Sequence, residues 1–277
     1  MKEAISDSRN GVQWTLVDQL EDLDFADDLA LLSHTHSRMQ AKTSKLEAIS
    51  SKLGLKINTD KTKIMRVNSK SNEYNSIANR DIEDVTCFAC LGSVINITGG
   101  TDEDVLARIG KARSAFNILG NIWTSREITT ATKIRIFISN VKPILLCGSE
   151  TWRMTEKTMS KLQTFVNRCL KIYWPDTISN ATLWEITGRL SVKEQIKKRK
   201  WTWIGHILRR SNTCTARQAL GWNPQGSRRR GRPPNTWKRD TERTIQLKGY
   251  TWNQIEQMAR DKGRWRRFIC DLCSETE

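Results

Sequence analysis

The hydrophobic pattern of this 277-residue chain changes at Gly99-Gly100, and the change limits the folds that the chain can adopt. Before the two glycines, short strand-like runs flank one helical segment, which Gly54 is placed to end. After them, apolar residues recur every three or four positions, with a break expected before Pro143. The pattern predicts an α+β fold in which antiparallel strands are followed by an all-α part and a basic helical tail.

Two adjacent aspartates, Asp27 and Asp28, occur in the stretch FADDLALLS. The alternation of Leu23 and Phe25 before them, and the leucines after them, predict a β-hairpin with the pair at its tip. Adjacent carboxylates repel each other, and in a partly buried setting the pKa of one rises unless a cation neutralises both. The pair therefore predicts a divalent-metal site with both aspartates as ligands.

Further elements follow from local patterns. The stretches LKIN (55–58) and KIMRVN (63–68) are typical of strands, and FACLGSVIN (88–96) is typical of a strand pair. The last two helices are expected at residues 236–247 and 252–272.

Charge is divided unevenly along the chain. Residues 1–100 carry 12 Lys/Arg and 14 Asp/Glu, whereas residues 101–277 carry 34 and 16, so the net charge of +16 comes from the later part. This asymmetry indicates a polyanionic partner, most simply nucleic acid, although a solvated basic face or a disordered tail gives the same pattern. The residues predicted to bind nucleic acid are Lys197, Lys198, Arg199, Lys200, Arg209, Arg210, Arg228, Arg229, Arg230 and Arg232.

Two features of the basic region have alternative interpretations. Trp201, Trp203, Trp222 and Trp237 lie among the basic residues and offer stacking faces for bases, but Trp201 also falls at core spacing on a helix. The run RRRGRPP (228–234) resembles an arm that enters a minor groove, and it also suits a flexible linker or a nuclear localisation signal.

Several classes of protein and site are disfavoured. No apolar run approaches the length that crosses a bilayer, and the opening residues lack the apolar stretch of a signal peptide, so we expect an intracellular protein of the nucleus or cytoplasm without membrane contact. Seven cysteines argue against a closed disulfide framework. A zinc site of Cys270 and Cys273 with His206 and Cys214 lacks the usual spacing.

The stretches FADDLALLS, GLKINTDKTKIM and FACLGSVI, in this order, resemble the last three palm motifs of a reverse transcriptase from a non-LTR retrotransposon of the RTE-like kind. The similarity continues through ARIGKARSAFNILGNIW, KIRIFISNVKPILLCGSETW, WPDTISNATLWEITGRL, KRKWTWIGHILRR and RQALGWNPQGSRRRGRPPNTWKR, which resemble the thumb and C-terminal region of those polymerases. Nearly the whole chain is covered. The resemblance implies a partial palm at 1–100, a helical thumb at 101–188 and a basic Trp-rich nucleic-acid-binding region at 189–277.

The same resemblance implies roles for particular residues. Asp27 and Asp28 would be ligands of a two-metal Mg²⁺ site. The protein would bind a template-primer of RNA and DNA, and its small-molecule substrate, once the missing part is supplied, would be a dNTP. By analogy, Lys61 and Lys63 lie near the triphosphate, although two surface lysines would look the same. The primer grip is formed by Cys90, Leu91, Gly92 and Ser93, with a cysteine at 90 where family members commonly carry an aromatic.

One part of the family pattern is missing. Polymerases of this family supply a further metal-binding aspartate from an earlier Phe-x-x-x-Phe-Asp motif, and only 26 residues precede Asp27. Two adjacent carboxylates alone do not enclose two Mg²⁺ ions in octahedral geometry. We therefore expect a truncated RNA-directed DNA polymerase whose two-metal site is incomplete and which is inactive alone. The alternative is a non-catalytic nucleic-acid-binding protein or a non-functional transposon relic.

Overall fold

The computed structural model describes residues 10–15, 18–69, 73–171, 191–222 and 236–274. Within these ranges the chain forms two compact units. The N-terminal unit holds residues 10–90 and 95–99 together with Trp222, and the helical unit holds residues 91–94, 100–221 and 236–274. The fold is mixed α+β, with small strand pairs early in the chain and mostly helices later, in agreement with the change of pattern at Gly99-Gly100.

The strands are short and occur in two-stranded pairs. They are β1 (Val12–Gln13), β2 (Gln19–Leu20), β3 (Asp22–Phe25), β4 (Asp28–Leu31), β5 (Lys63–Ile64), β6 (Ser76–Ile77), β7 (Arg80–Asp81), β8 (Glu83–Asp84), β9 (Cys87–Cys90) and β10 (Ser93–Asn96). β1–β2, β3–β4 and β6–β7 are antiparallel, β9 pairs with β10, and β5–β8 is parallel. Across the described residues these pairs do not join into one larger sheet, and the parallel β5–β8 pair departs from the antiparallel arrangement that was expected.

Helix α1 (His36–Lys52) begins and ends as its sequence indicates. Thr35 accepts a hydrogen bond from the backbone N–H of Arg38 at 3.4 Å. Gly54 has φ +72°, and the backbone N–H of Leu55 donates to the carbonyl of Ser50 at 2.9 Å, which closes the helix in a Schellman arrangement. The helix end therefore occupies the start of residues 55–58, and the strand predicted there is wrong.

The helical unit contains ten α-helices within the described residues, besides the short 3-10 helix Ser149–Thr151. They are α2 (Asp102–Ile118), α3 (Gly120–Thr124), α4 (Thr130–Ile136), α5 (Lys142–Leu145), α6 (Glu156–Lys171), α7 (Val192–Leu208), α8 (Thr215–Gly221), α9 (Trp237–Leu247), α10 (Trp252–Arg260) and α11 (Lys262–Ser274). A wider π-helical turn, Phe137–Val141, joins α4 to α5. Pro143 explains this turn, because proline has no N–H to donate and its ring clashes with the carbonyl four residues earlier in a regular helix.

Two clusters of buried side chains form the core of the helical unit. The first contains Val105, Ile109, Ala112 and Phe116 of α2, which recur at helical spacing, together with buried residues of α3, the π-helical turn, α5, α6 and the start of α7. The second lies around Trp201 and contains residues of α7 to α11. None of the helices that the structure describes combines the length and the apolar character needed to span a membrane.

The helix predicted at residues 252–272 is two helices instead of one. Asp261 separates them with extended backbone, and its Oδ1 accepts hydrogen bonds from the N–H groups of Gly263 at 2.7 Å and Arg264 at 3.1 Å. These bonds cap the start of α11. The capping aspartate was visible in the sequence as a possible helix start inside the apolar pattern.

Candidate functional site

The aspartate pair lies at the apex of the β3–β4 hairpin. The register runs from Asp22 opposite Leu31 to Phe25 opposite Asp28, which leaves Ala26 and Asp27 as the two-residue turn. Ala26 has φ +55°, whereas the φ of Asp27 is negative, as in a type II′ hairpin turn. The predicted hairpin is confirmed, except that Asp28 is the first residue of β4 and only Asp27 lies in the turn.

The two faces of this hairpin differ in chemistry. Cross-strand partners share a face, so one side carries Leu23, Phe25, Asp28 and Ala30, and the other carries Asp22, Asp24, Leu29 and Leu31. The apolar side chains of the first face are open to solvent, with 49% of Leu23 and 65% of Phe25 exposed. Asp28 therefore stands beside an uncovered apolar surface.

Lys42 of α1 holds the open end of the hairpin. It is 4% exposed, its Nζ donates to the carbonyls of Glu21 at 3.0 Å and Leu32 at 2.7 Å, and it forms an ion pair with the Glu21 carboxylate. Sequence reasoning missed this role. The available signal was a lysine at an apolar-face position of the helix, three residues after Met39.

The acidic side chains of the hairpin are not equivalent. Burial raises the pKa of the Asp22 carboxyl, Asp24 and Glu21 raise it further, and Lys42 opposes the shift. Asp27 and Asp28 are exposed. Among the described residues, no group of three His, Cys, Asp or Glu side chains comes together as a metal site. The apex thus offers two carboxylates, which suit a hard cation but supply only part of the ligands that it needs.

Neither of the two lysines expected near the triphosphate lies in the strand pair that carries the aspartates. Lys61 is exposed in the loop before β5. Lys63 is in β5 and forms an ion pair with Glu83 of the parallel strand β8. A triphosphate role for Lys63 therefore requires that this ion pair open.

The stretch predicted as the primer grip is the β9–β10 hairpin. Cys90 ends β9 half-buried, and Ser93 begins β10. Leu91 and Gly92 form the turn with φ +48° and +80°, as in a type I′ turn, and Leu91 is 56% exposed. The apex thus presents an exposed backbone turn, which is what contact with a strand of nucleic acid requires.

Side chains of α2 fix this hairpin tip. Arg108 Nη2 donates to Ser93 Oγ at 3.1 Å, and Lys111 Nζ donates to the carbonyl of Gly92 at 2.9 Å. Asp104 accepts the backbone N–H of Val94 on Oδ1 at 2.9 Å.

A tryptophan completes this arrangement from the other side of Asp104. Trp152 Nε1 donates to Asp104 Oδ2 at 2.7 Å, and Trp152 is 1% exposed. Asp104 and Arg108 are each 6% exposed, and Asp104 Oδ1 lies 3.9 Å from Arg108 Nε. We call Ser93, Asp104, Arg108 and Trp152 the hairpin-tip cluster.

Four of the predicted nucleic-acid contacts on and after α7 are bonded within the protein. Lys197 donates to the carbonyl of Leu272, and Arg199 Nε donates to Glu150 Oε1 at 2.9 Å. Arg209 Nη1 donates to the carbonyl of Ala259 at 2.9 Å.

Lys200 is buried, pairs with Asp240 at 3.0 Å and lies 4.8 Å from the ring centre of Trp237. Burial lowers its pKa against the opposing effect of Asp240. Lys198 and Arg210 are exposed. Arg228, Arg229, Arg230 and Arg232 lie outside the described residues.

The tryptophans of the basic region take part in packing. Trp201 is 1% exposed in the second core cluster, and Trp203 meets Trp237 edge to face with ring centres 6.1 Å apart. Trp222 packs on Trp14 with ring centres 5.0 Å apart. These contacts favour the core interpretation over base stacking.

The remaining metal candidates stay apart. Cys273 is buried, which raises the pKa of its thiol, while Cys270 and His206 are exposed. Within the part of the chain that the structure describes, no zinc-like group forms.

Comparison with known proteins places the chain only broadly. The family model of a domain of unknown function, DUF6451, matches residues 115–146, which run from the last turn of α2 to the end of α5. The chain is similar to a Caenorhabditis elegans protein described as transposon-derived and uncharacterized, with 27% identity over 272 residues, or 90% of this chain and 95% of that protein. No solved structure gives a significant match.

Proposed function

We propose that the chain is the palm-and-thumb part of an RNA-directed DNA polymerase of the non-LTR retrotransposon kind, in which Asp27 and Asp28 hold catalytic Mg²⁺. The observation that carries the proposal is the exposed aspartate pair at the apex of the β3–β4 hairpin, with Asp27 in the turn and Asp28 beginning β4. The similarity to a transposon-derived protein supports the same origin.

The residues fit part of a magnesium site. Mg²⁺ in phosphoryl-transfer sites is commonly held by one or two carboxylates, with substrate phosphates and waters as the other ligands. When bound, a metal pair activates the attacking hydroxyl and stabilises the leaving oxygen. Asp27 and Asp28 supply two of the ligands, and a further carboxylate must join them, since no third one does so among the described residues. We therefore expect no polymerase activity from this chain alone.

The chain's own residues also suit the handling of a primer strand. Leu91 and Gly92 present a turn whose backbone is fixed by Lys111 and by the hairpin-tip cluster. A Cβ built on Gly92 would lie 3.5 Å from Arg108 Nη2 and 3.8 Å from Lys111 Nζ, so the glycine lets these two side chains approach the turn closely. Lys111 is exposed at the same turn, where its ammonium group favours a phosphate, whereas Arg108 is buried and bonded to Ser93.

A second function, binding of nucleic acid without catalysis, is favoured by a different observation. Lys198 and Arg210 are exposed and contribute to the excess positive charge of residues 101–277. Such side chains can neutralise phosphates without a bound metal. In this case the aspartate pair has no role in binding.

Complementation separates the two functions. The chain is mixed with a fragment of a related polymerase that carries the earlier palm aspartate, and primer extension on an RNA template is followed. We expect extension to disappear with Asp27→Asn/Asp28→Asn, while the matched control Asp22→Asn/Asp24→Asn, on the opposite face of the same hairpin, keeps it. Extension that survives Asn at 27 and 28 would refute the catalytic proposal.

A further inference from the structure

A dense group of exposed cations lies where α10 meets α11. Arg260, Lys262, Arg264, Arg266 and Arg267 are all exposed, and we call them the basic corner. Nothing in the palm and thumb motifs singled out these residues.

The one carboxylate within the basic corner, Asp261, serves as a helix cap. Asp261 caps α11 through its bonds to the N–H groups of Gly263 and Arg264, and these bonds hold the pKa of its carboxyl below the usual value. Its ion pair with Arg264 is long, at 3.9 Å, and exposed. In the described ranges, no carboxylate pairs with the other four cations of the corner. Asp261 also interacts electrostatically with Arg267, so the corner sets five cations against one carboxylate and keeps a strong positive charge.

The arginines are held on a rigid support. Trp265 is 3% exposed and its Nε1 donates to the carbonyl of Trp201 at 3.1 Å. A Cβ built on Gly205 of α7 would lie 2.0 Å from this indole nitrogen, so the ring rests directly on the backbone of α7. Phe268 and Leu272 are buried on the same side of α11. The apolar side of α11 is thus buried in the core, and its basic side faces solvent.

The end of α7 extends the same charged surface. The bond from Arg209 to the carbonyl of Ala259 brings this end against the last turn of α10, next to Arg260. Arg210 follows Arg209 and is exposed. Three helix ends therefore converge with cations at each.

We propose that the basic corner binds the phosphate backbone of a duplex nucleic acid independently of sequence. The inference rests on the proposed function for its partner class and adds a contact surface to it. Arginine suits phosphate because its planar group can donate two parallel hydrogen bonds. Along α11, Arg264 and Arg267 are neighbours at three-residue spacing, and Lys262 and Arg266 at four, which gives two short cationic rows. An anionic membrane is a poorer partner, because the apolar side chains that would enter it are buried.

The test compares two variants of the full chain that each lose three positive charges with a third variant that keeps them. Arg264→Gln/Arg266→Gln/Arg267→Gln removes three charges from the corner, and its matched control Lys157→Gln/Lys161→Gln/Arg168→Gln removes three from exposed positions of α6. A third variant, Arg264→Lys/Arg266→Lys/Arg267→Lys, keeps the charge. Binding of labelled duplex DNA and of an RNA–DNA hybrid is measured by fluorescence anisotropy across a salt series, with circular dichroism to verify folding.

Loss of three phosphate contacts should make the slope of log K against log salt shallower by about 2.7. The affinity gap to the wild type then shrinks about 40-fold between about 50 and about 200 mM salt. The α6 control and the lysine variant should keep the wild-type slope on both duplexes.

Other results separate the possible failures. If the wild type binds and the corner variant binds with an equal slope, the basic corner is wrong and the proposed function stands. If the wild type binds neither duplex, both proposals fail. Binding to phosphatidylserine–phosphatidylcholine vesicles in place of either duplex would overturn the choice of partner.

Discussion

Asp104 is the residue whose replacement should most disturb the hairpin tip. Its two oxygens accept from Val94 and Trp152, and it is the carboxylate nearest to buried Arg108. In Asp104→Asn, one oxygen is replaced by an NH₂ group, so one of the two donors loses its acceptor, at a cost of about 1.5–3 kcal/mol. Arg108 also loses its counter-charge, and a buried pair broken on one side costs about 3–5 kcal/mol.

These two costs overlap, because both follow from the loss of the same charge. Arg108 also keeps its bond to Ser93. We therefore expect the free energy of unfolding to fall by about 3–5 kcal/mol in total. The amide of Val94 should also exchange its hydrogen faster, since its bond to Asp104 is weakened.

Glu103→Gln is the matched control. Glu103 is exposed in the same first turn of α2, so both variants remove one acidic charge from the helix N-terminus. That shared effect is below about 1 kcal/mol. Urea unfolding and hydrogen exchange measure both variants. If Asp104→Asn is no more than about 1 kcal/mol less stable than Glu103→Gln, the hairpin-tip cluster does not stabilise the fold as argued.

Three further predictions concern other buried contacts. Gly205→Ala should destabilise the chain by about 1–3 kcal/mol in thermal unfolding because its methyl group meets Trp265, whereas Gly110→Ala, with open space around it, should be neutral or stabilising. Lys42→Met should lower the free energy of unfolding by about 3 kcal/mol and speed hydrogen exchange in the β3–β4 hairpin, and unchanged exchange there would contradict the role of Lys42. Burial raises the pKa of the Cys169 thiol from 9.0 to about 12, so the stability that it provides is present below pH 9 and lost as pH rises towards about 12. Cys169→Ala should remove this alkaline loss in urea titrations.

Local rules account for the elements that the sequence predicted well. The aspartate hairpin follows from alternation on both sides of a two-residue turn, and the end of α1 follows from Gly54. The buried face of α2 follows from helical spacing. In each case the interacting residues are close in the chain, so the pattern is visible in a short window.

Contacts between distant residues could not be predicted in this way. Asp104 and Trp152 are 48 residues apart, and the bond between Trp265 and Trp201 spans 64. Nothing in either local sequence identifies the partner. The same limit explains why Lys200 was predicted to contact nucleic acid. Its basic neighbours in the sequence suggested that role, but the residue is buried and paired with Asp240, 40 residues later.

Location of the metal is the most direct test of the proposed function. In the complemented assembly with template, primer and dNTP, Fe²⁺ is substituted for Mg²⁺, and hydrogen peroxide and ascorbate are added. The bound Fe²⁺ reduces peroxide to hydroxyl radicals that cut the backbone beside the ion, and ascorbate returns the Fe³⁺ to Fe²⁺. If Asp27 and Asp28 hold the metal, we expect cuts around residues 25–29 that vanish in Asp27→Asn/Asp28→Asn and persist in Asp22→Asn/Asp24→Asn. Cuts elsewhere in the chain, or cuts at 25–29 that survive the double asparagine variant, would contradict that assignment.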